Sequence, residues 1–216
     1  ADVDAWKAKY TDVSYQTSKV GPGDMYFQDL RSVPTKPGTF YTNEPDGKID
    51  QYDQVYLGKT IPGFIYGLNF NVDYKGIDFS AQFTGVGDVQ AYNYMRAALE
   101  NVNNTKDNVS TKVLNAWTPE NHSTTMPRLM ISDPSNAYRF SDRFVEDAGY
   151  LRLSNLQIGY TLPGRVYDAV GKAFSNLHIY IGVSNAFTIT KYSGFDPEND
   201  KYPIPRVFFT GLNVRF

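Results

Sequence analysis

The sequence predicts an all-β fold, and three observations carry the prediction. Long segments alternate apolar and polar residues with a period of two. Aromatic residues are abundant, with 17 Tyr, 14 Phe and 2 Trp among 216 residues, while mean hydropathy is low. The spacings between the alternating segments are very unequal. Soluble β-rich proteins and transmembrane β-barrels can both combine low hydropathy with many aromatics, because a barrel strand hides its apolar half in alternation.

The first strand is expected over 64–75. Tyr66, Leu68, Phe70, Val72 and Tyr74 fall on one face, and Gly67, Asn69, Asn71 and Asp73 on the other. A turn at Lys75-Gly76 leads into a second strand over 77–88, where Ile77, Phe79, Ala81 and Phe83 alternate with Asp78, Ser80, Gln82 and Thr84. So short a connection reads as a hairpin. A third strand is expected over 150–162. Its apolar phase flips at Ser154-Asn155, between Leu151 and Leu153 on one side and Leu156, Ile158 and Tyr160 on the other, which predicts a bulge. Pro163-Gly164 ends it. A fourth strand is expected over 177–190, with Leu177, Ile179, Ile181, Val183, Phe187 and Ile189 apolar. The fifth covers 206–216, with Phe208, Leu212, Val214 and Phe216 on one face and Thr210 as its one polar member. Between strands three and four lies a weakly helical stretch, Arg165 to Ala173. A helix around Ala91 to Asn101 is expected from the spacing of Tyr92, Met95 and Leu99.

The chain divides into a turn-rich region, 1–63, and a strand region, 64–216, which contains the long loop 89–149. A compact soluble sandwich rarely carries structureless loops of such length. A membrane barrel does, with short turns at one end and long loops at the other. The strands, about 11 to 14 residues each, also reach the length needed to cross a bilayer when tilted.

Composition excludes several classes. Without cysteine there is no disulfide, thiolate metal site or cysteine nucleophile. A net charge of −2 with no basic block argues against a nucleic-acid partner. No apolar run is long enough for a transmembrane helix. The chain opens without Met or a signal-like segment, so residue 1 reads as the start of a processed or cut piece.

Five separate stretches, in order, resemble one family. They are Pro22-Gly23-Asp24 with Phe27-Gln28-Asp29-Leu30; Asp46-Gly47-Lys48-Ile49-Asp50 with Leu57-Gly58; Ser141-Asp142-Arg143-Phe144-Val145-Glu146-Asp147 with Tyr150-Leu151-Arg152-Leu153 and Asn155 to Pro163; Asn185 to Glu198; and Pro205-Arg206 to Phe216. Over roughly residues 20 to 216 the sequence resembles the SusC/RagA-like TonB-dependent outer-membrane transporters. The resemblance implies a large antiparallel transmembrane barrel of about 22 strands, of which this chain is the last five. It implies as partners an N-terminal remainder with a plug and the other strands, TonB acting through that remainder, a SusD-like surface lipoprotein, and the lipid bilayer. It also implies the outer membrane of a Gram-negative bacterium and import of an oligomeric nutrient, glycan or oligopeptide, with no catalysis.

In such barrels the C-terminus is periplasmic. The strand order then puts 191–205, 89–149 and 1–63 outside the cell and the turns 75–76 and 163–176 inside, so the long loops are extracellular. Ala1 would lie in an extracellular loop, as expected of a C-terminal piece cut there. Phe216 resembles the terminal assembly signal of outer-membrane barrels. The alternative reading of the whole is a soluble β-rich glycan-binding module.

Asp46, Asp50 and Asp53, with Gly47 at a sharp turn, are similar to the second half of an EF-hand-type calcium loop. In the family pattern that loop begins at Asp29, but here a long run of residues separates Asp29 from Asn43 and Glu44. Asp29, Asn43, Glu44, Asp46, Asp50 and Asp53, with the Lys48 carbonyl, are the candidate calcium ligands. The alternative is an Asx-rich surface turn with no metal. His122 and His178 lack metal-ligand spacing, and Glu146-Asp147 makes a poor glycosidase pair because adjacent strand residues face opposite ways. Gly85-Val86-Gly87 is too short for a phosphate loop, and no G-x-S-x-G elbow occurs. Tyr66, Tyr74, Tyr160, Phe187 and Phe216 suit an interfacial girdle. Tyr92, Tyr94, Trp117 and Tyr138 in the long loop are the candidate substrate or partner contacts, with loop self-packing as the competing role.

Overall fold

A computed structural model describes residues 3–10, 20–103, 108–123, 125–131, 133, 136–169 and 175–216. The elements in chain order are α1 (Val3–Lys9), β1 (Phe64–Tyr74), β2 (Ile77–Gly87), β3 (Gln90–Tyr92), α2 (Tyr94–Leu99), β4 (Val145–Asp147), β5 (Tyr150–Thr161), α3 (Gly164–Ala169), β6 (Asn176–Thr190) and β7 (Val207–Arg215), with short 3-10 turns between them. Residues 170–173 of the expected helix from Arg165 lie outside the described residues. The helix expected from Ala91 begins later, at Tyr94, because Gln90, Ala91 and Tyr92 pair with β4 instead.

The chain forms two compact units. One comprises Ala1–Leu57 and Tyr94–Phe144, the other Gly58–Asn93 and Val145–Phe216. The division therefore falls elsewhere than at 63/64, and most of the long loop leaves the strand region. The physical reason lies inside the first unit. Asp24 of its N-terminal part and Arg128 of its loop part form a two-point ion pair, and Arg128 N–H donates to the Gly23 carbonyl at 2.9 Å.

The second unit is built on a five-stranded antiparallel sheet in the order β1-β2-β5-β6-β7. The β1–β2 hairpin turns on Lys75 and Gly76, both with positive φ (49° and 86°), the conformation that matches a two-residue turn to strand twist. The register aligns the apolar residues of all five strands. Val72, Phe79, Ile158, Ile181 and Thr210 form one rung, and Phe70, Ala81, Leu156, Val183 and Phe208 the next of the same face. Between them runs a rung of Asn71, Ser80, Gln157 and Gly182, polar or small over four strands and ending at Phe209 on β7.

A one-residue slip would turn each strand's apolar set to the other face. The phase flip in β5 is absorbed by a bulge at Ser154, where Phe83 pairs with Leu153 and Gln82 with Asn155. Strand β6 answers with an irregularity at Asn185, which adopts φ 52°. Both adjustments keep Leu153 and Phe187 on the apolar face.

That face is exposed. Leu68 is 62% and Ile181 58% accessible, and Phe70, Val72, Ile179, Phe208 and Leu212 are exposed with them. Among the described residues the buried apolar clusters lie off the sheet faces, around Val89, Ala148 and Tyr192 in one unit and Val113, Ala116 and Met126 in the other. An apolar surface continuous over five strands is far larger than a water-facing sheet tolerates. Aromatics mark its ends, Phe64 and Tyr66 at one and Tyr74 and Tyr160 at the other.

Candidate functional site

At the end of the sheet opposite the Lys75-Gly76 turn, the polar face carries a buried ion cluster. Arg152 lies on β5 in the rung of Gly67, Thr84 and Thr188. Its Nη2 donates to Asp196 Oδ2 and its Nη1 to Glu198 Oε2, both at 2.6 Å, and its Nε to Thr188 Oγ1 at 3.0 Å. Tyr150 O–H donates to the other Glu198 oxygen at 2.6 Å. Asp196 also accepts the Glu198 N–H at 2.9 Å, which folds the turn that presents both carboxylates. Nearby, Glu146 accepts from Ser193 N–H at 2.7 Å and Ser193 O–H at 2.8 Å, and Asn93 donates to Ser193 Oγ at 3.1 Å. Burial and the hydrogen bond to Asp200 push the Tyr192 phenol up. This cluster fastens the 191–206 connection to β4 and β5. Its donors and acceptors are consumed by one another, so it is a clamp rather than a reaction centre.

The first unit holds a cleft of about 660 Å³ whose walls include Trp6, Tyr26, Trp117, His122, Met126 and Arg143. Its floor is fixed by Asp24, which takes Arg128 Nε and Nη2 at 2.6 Å each and the Gly21 N–H at 2.8 Å. The Asp24 hydrogen bond raises the Arg128 pKa above its usual range. Gly23 has φ 83°, and a Cβ there would run into the Trp117 ring. Gly23→Ala is therefore expected to lose about 1–2 kcal/mol from backbone strain alone, and displacement of Trp117 should appear as a shift in tryptophan emission. An unchanged spectrum and melting temperature would contradict this packing.

Arg143 forms the far wall. Its Nη2 donates to Glu100 Oε2 at 2.8 Å, while Arg96 Nε holds Glu100 Oε1 at 2.8 Å. Desolvation lowers the Arg143 pKa.

Of the four aromatics expected to contact substrate or partner, Trp117 lines the cleft, stacked on His122 with 5.7 Å between ring centroids. Tyr138 lies under the Arg143 guanidinium at 5.6 Å. Tyr94 is exposed at the start of α2, and Tyr92 belongs to β3 in the other unit. Sequence reasoning missed Trp6, Tyr26 and Arg143 as cleft residues. Arg143 stands inside one of the quoted stretches, and that was the available signal.

The candidate calcium residues converge, but on backbone N–H groups. Asp29 is buried and accepts from Asp46 N–H at 3.1 Å and Gly47 N–H at 2.9 Å, so the interrupted loop does close on Asp29. Asp53 accepts from Leu30, Arg31 and Asp50 N–H at 2.7, 3.0 and 2.8 Å. Asp50 caps the following turn through Tyr52 N–H, Asp46 accepts from Lys48 N–H, and Asn43 and Glu44 are exposed. Among the described residues no group of three or more His, Asp or Glu side chains is placed to hold a metal ion. The arrangement is an Asx-rich turn whose carboxylates accept backbone N–H groups. His178 bonds Asp78 at 2.7 Å.

No family model matches the chain. TonB-dependent receptor P3 of Formosa agariphila is 31% identical over 215 residues, which cover 90% of this chain and 19% of that receptor. TonB-dependent receptor SusC of Bacteroides thetaiotaomicron is 30% identical over 220 residues, covering 93% of this chain and 20% of SusC. Among solved structures, the RagAB peptide importer in its open-open state superposes with a TM-score of 0.62 at 25% identity, over 84% of this chain and 19% of that one. In its closed-closed state the values are 0.63, 26%, 83% and 19%. Over nine tenths of its length the chain is similar to TonB-dependent receptors, SusC among them, and its strands superpose on the RagAB importer. It spans about one fifth of the length of the relatives it matches. The clamp is where that family's resemblance becomes structural: the stretches at 141–153 and 185–198, far apart in sequence, meet through Arg152, Asp196, Glu198, Glu146 and Ser193.

Proposed function

We propose that this segment contributes five neighbouring strands to the outer-membrane barrel of a TonB-dependent importer of oligomeric nutrients, glycans or oligopeptides, working with a SusD-like surface lipoprotein. One observation carries the reading: a single exposed apolar face, kept in phase across five strands by two bulges, on a chain similar to SusC and to the RagAB peptide importer. In a bilayer that face is solvated by lipid, while the polar rungs face the barrel interior. Strands β1 and β7, each paired on one side among the described residues, would find their second neighbours in the rest of the barrel. Backbone groups left unpaired in hydrocarbon cost several kcal/mol each. The clamped connection 191–206 and the first unit, carrying the cleft, would then stand on the extracellular side, and Phe216 in the periplasm.

Import follows from binding and energised opening, with no bond made or broken. The test is uptake of fluorescent oligosaccharides and oligopeptides by cells carrying the full receptor, with and without TonB. The reading expects accumulation of one class that needs both TonB and the neighbouring lipoprotein. Accumulation that is indifferent to TonB would overturn it.

A further inference from the structure

The run of residues between Asp29 and Asn43 interrupts the calcium-type motif, and it leaves and re-enters one hydrogen-bonded base. Asp29 holds the Asp46 and Gly47 N–H groups on the far side of the run, and Asp53 holds Leu30 and Arg31 N–H where it starts. Between these anchors stands a finger with bonds of its own. Ser32 and Thr42 exchange backbone hydrogen bonds at 3.2 and 3.1 Å, and their hydroxyls bond each other. Arg31 Nη1 donates to the Gln54 carbonyl at 2.9 Å, with its guanidinium 3.9 Å over the Tyr41 ring. At the tip Pro37-Gly38 reverses the chain. Gly38 has φ 85° and Thr39 N–H donates to the Lys36 carbonyl, the pattern of a type II turn. Ordering such a loop costs conformational entropy. Its tip nevertheless holds Phe40 86% exposed, with Val33 exposed below it.

Shape and charge narrow the partner. Small oligomers are held in concavities. A projecting phenylalanine on a braced turn is instead the kind of anchor that fills a pocket on another protein. From Leu30 to Asn43 the finger carries Arg31 and Lys36 and no acid. Two copies meeting finger to finger across a two-fold axis would set those cations against each other. We propose that the finger docks on the SusD-like lipoprotein, with Phe40 in an apolar pocket of that protein and Lys36 against an acidic rim. The choice of partner rests on the importer reading; the geometry of the finger does not.

The test is the affinity of the lipoprotein, freed of its lipid anchor, for the full receptor held in lipid nanodiscs. Phe40→Ser is expected to weaken binding about tenfold or more, as loss of an interface anchor does. Because Phe40 is so exposed, the melting temperature should not change. Lys36→Glu is expected to weaken binding about fivefold at low salt and less as salt is raised. Replacing 33–41 by Asn-Gly closes Ser32 and Thr42 with a two-residue hairpin turn. It keeps the Asp29 and Asp53 anchors, and it should weaken binding at least as much as Phe40→Ser. If that excision fails to fold, Phe40→Ser decides. Wild-type affinity in Phe40→Ser would overturn the proposal and leave the importer reading in place. A wild-type receptor that binds no lipoprotein would overturn both. A finger variant that lowers the self-association of the receptor but binds the lipoprotein normally would give the finger to a second copy and overturn the docking proposed here.

Discussion

Arg152→Ala is expected to destabilise the receptor by about 3–5 kcal/mol, the cost of breaking a buried ion pair from one side. The substitution strands Asp196, whose side chain is 6% exposed, and among the described residues leaves it the Glu198 N–H as a donor. Glu198, at 47% exposed, turns to water and contributes little to the loss. The Tyr150 hydroxyl and Thr188 also lose their arrangement around the guanidinium. The connection 191–206 should then become sensitive to protease in receptor held in detergent, and the melting temperature should fall. Arg152→Lys keeps the charge but not the fork that reaches two carboxylates and a hydroxyl, so it should recover only part of the loss. A double variant, Arg152→Met with Asp196→Asn, should cost less than the sum of the singles, because the stranded charge is gone. Protease resistance and melting unchanged in Arg152→Ala would mean that the clamp does not hold the loop.

Phe70→Lys is the second large effect. Phe70 sits midway along β1 in the rung with Ala81, Leu156, Val183 and Phe208, on the exposed apolar face. If that face meets lipid, a lysine near the bilayer midplane costs about 2–4 kcal/mol. The next residue supplies the control. Asn71 belongs to the polar rung with Ser80 and Gln157, so Asn71→Lys should be tolerated. Both substitutions add one positive charge to one exposed edge strand, and only the face differs. The readout is the fraction of full receptor that reaches the heat-modifiable, folded state in the outer membrane. Equal assembly of the two variants would contradict the assignment of faces.

The strands were legible because their signal is periodic and local. Tyr66 to Tyr74 alternates without a break, Lys75-Gly76 supplies the one conformation a two-residue hairpin needs, and the phase flip at Ser154 is what a bulge looks like in sequence. The short strand at Gln90–Tyr92 was hidden by the helical spacing of Tyr92, Met95 and Leu99; three residues carry too little period to compete, and the pairing partner lies more than fifty positions away.

The clamp and the cleft left no periodic trace. Arg152 on β5 meets Asp196, and Asp24 meets Arg128, through single charged side chains whose partners lie in irregular segments, which local patterning cannot pair. Asp29 shows a different limit. Its convergence on Asp46 and Gly47 was readable from the motif, but a carboxylate that can ligate a cation can equally accept backbone N–H bonds, and sequence does not separate the two. The contacts that join 94–144 to the N-terminal region are as silent in sequence as the clamp, since they are made by Arg128 and Trp117, and neither carries a period.

The central claim is that the apolar rungs lie in lipid. It is tested most directly by placing an environment-sensitive fluorophore on single cysteines at each position from 66 to 74 of the full receptor, reconstituted in phospholipid vesicles. No native cysteine in this segment competes for the label. The account predicts blue-shifted emission, quenched by brominated lipid, at 66, 68, 70, 72 and 74, and water-like emission at 67, 69, 71 and 73. Water-like emission at all nine positions would contradict it.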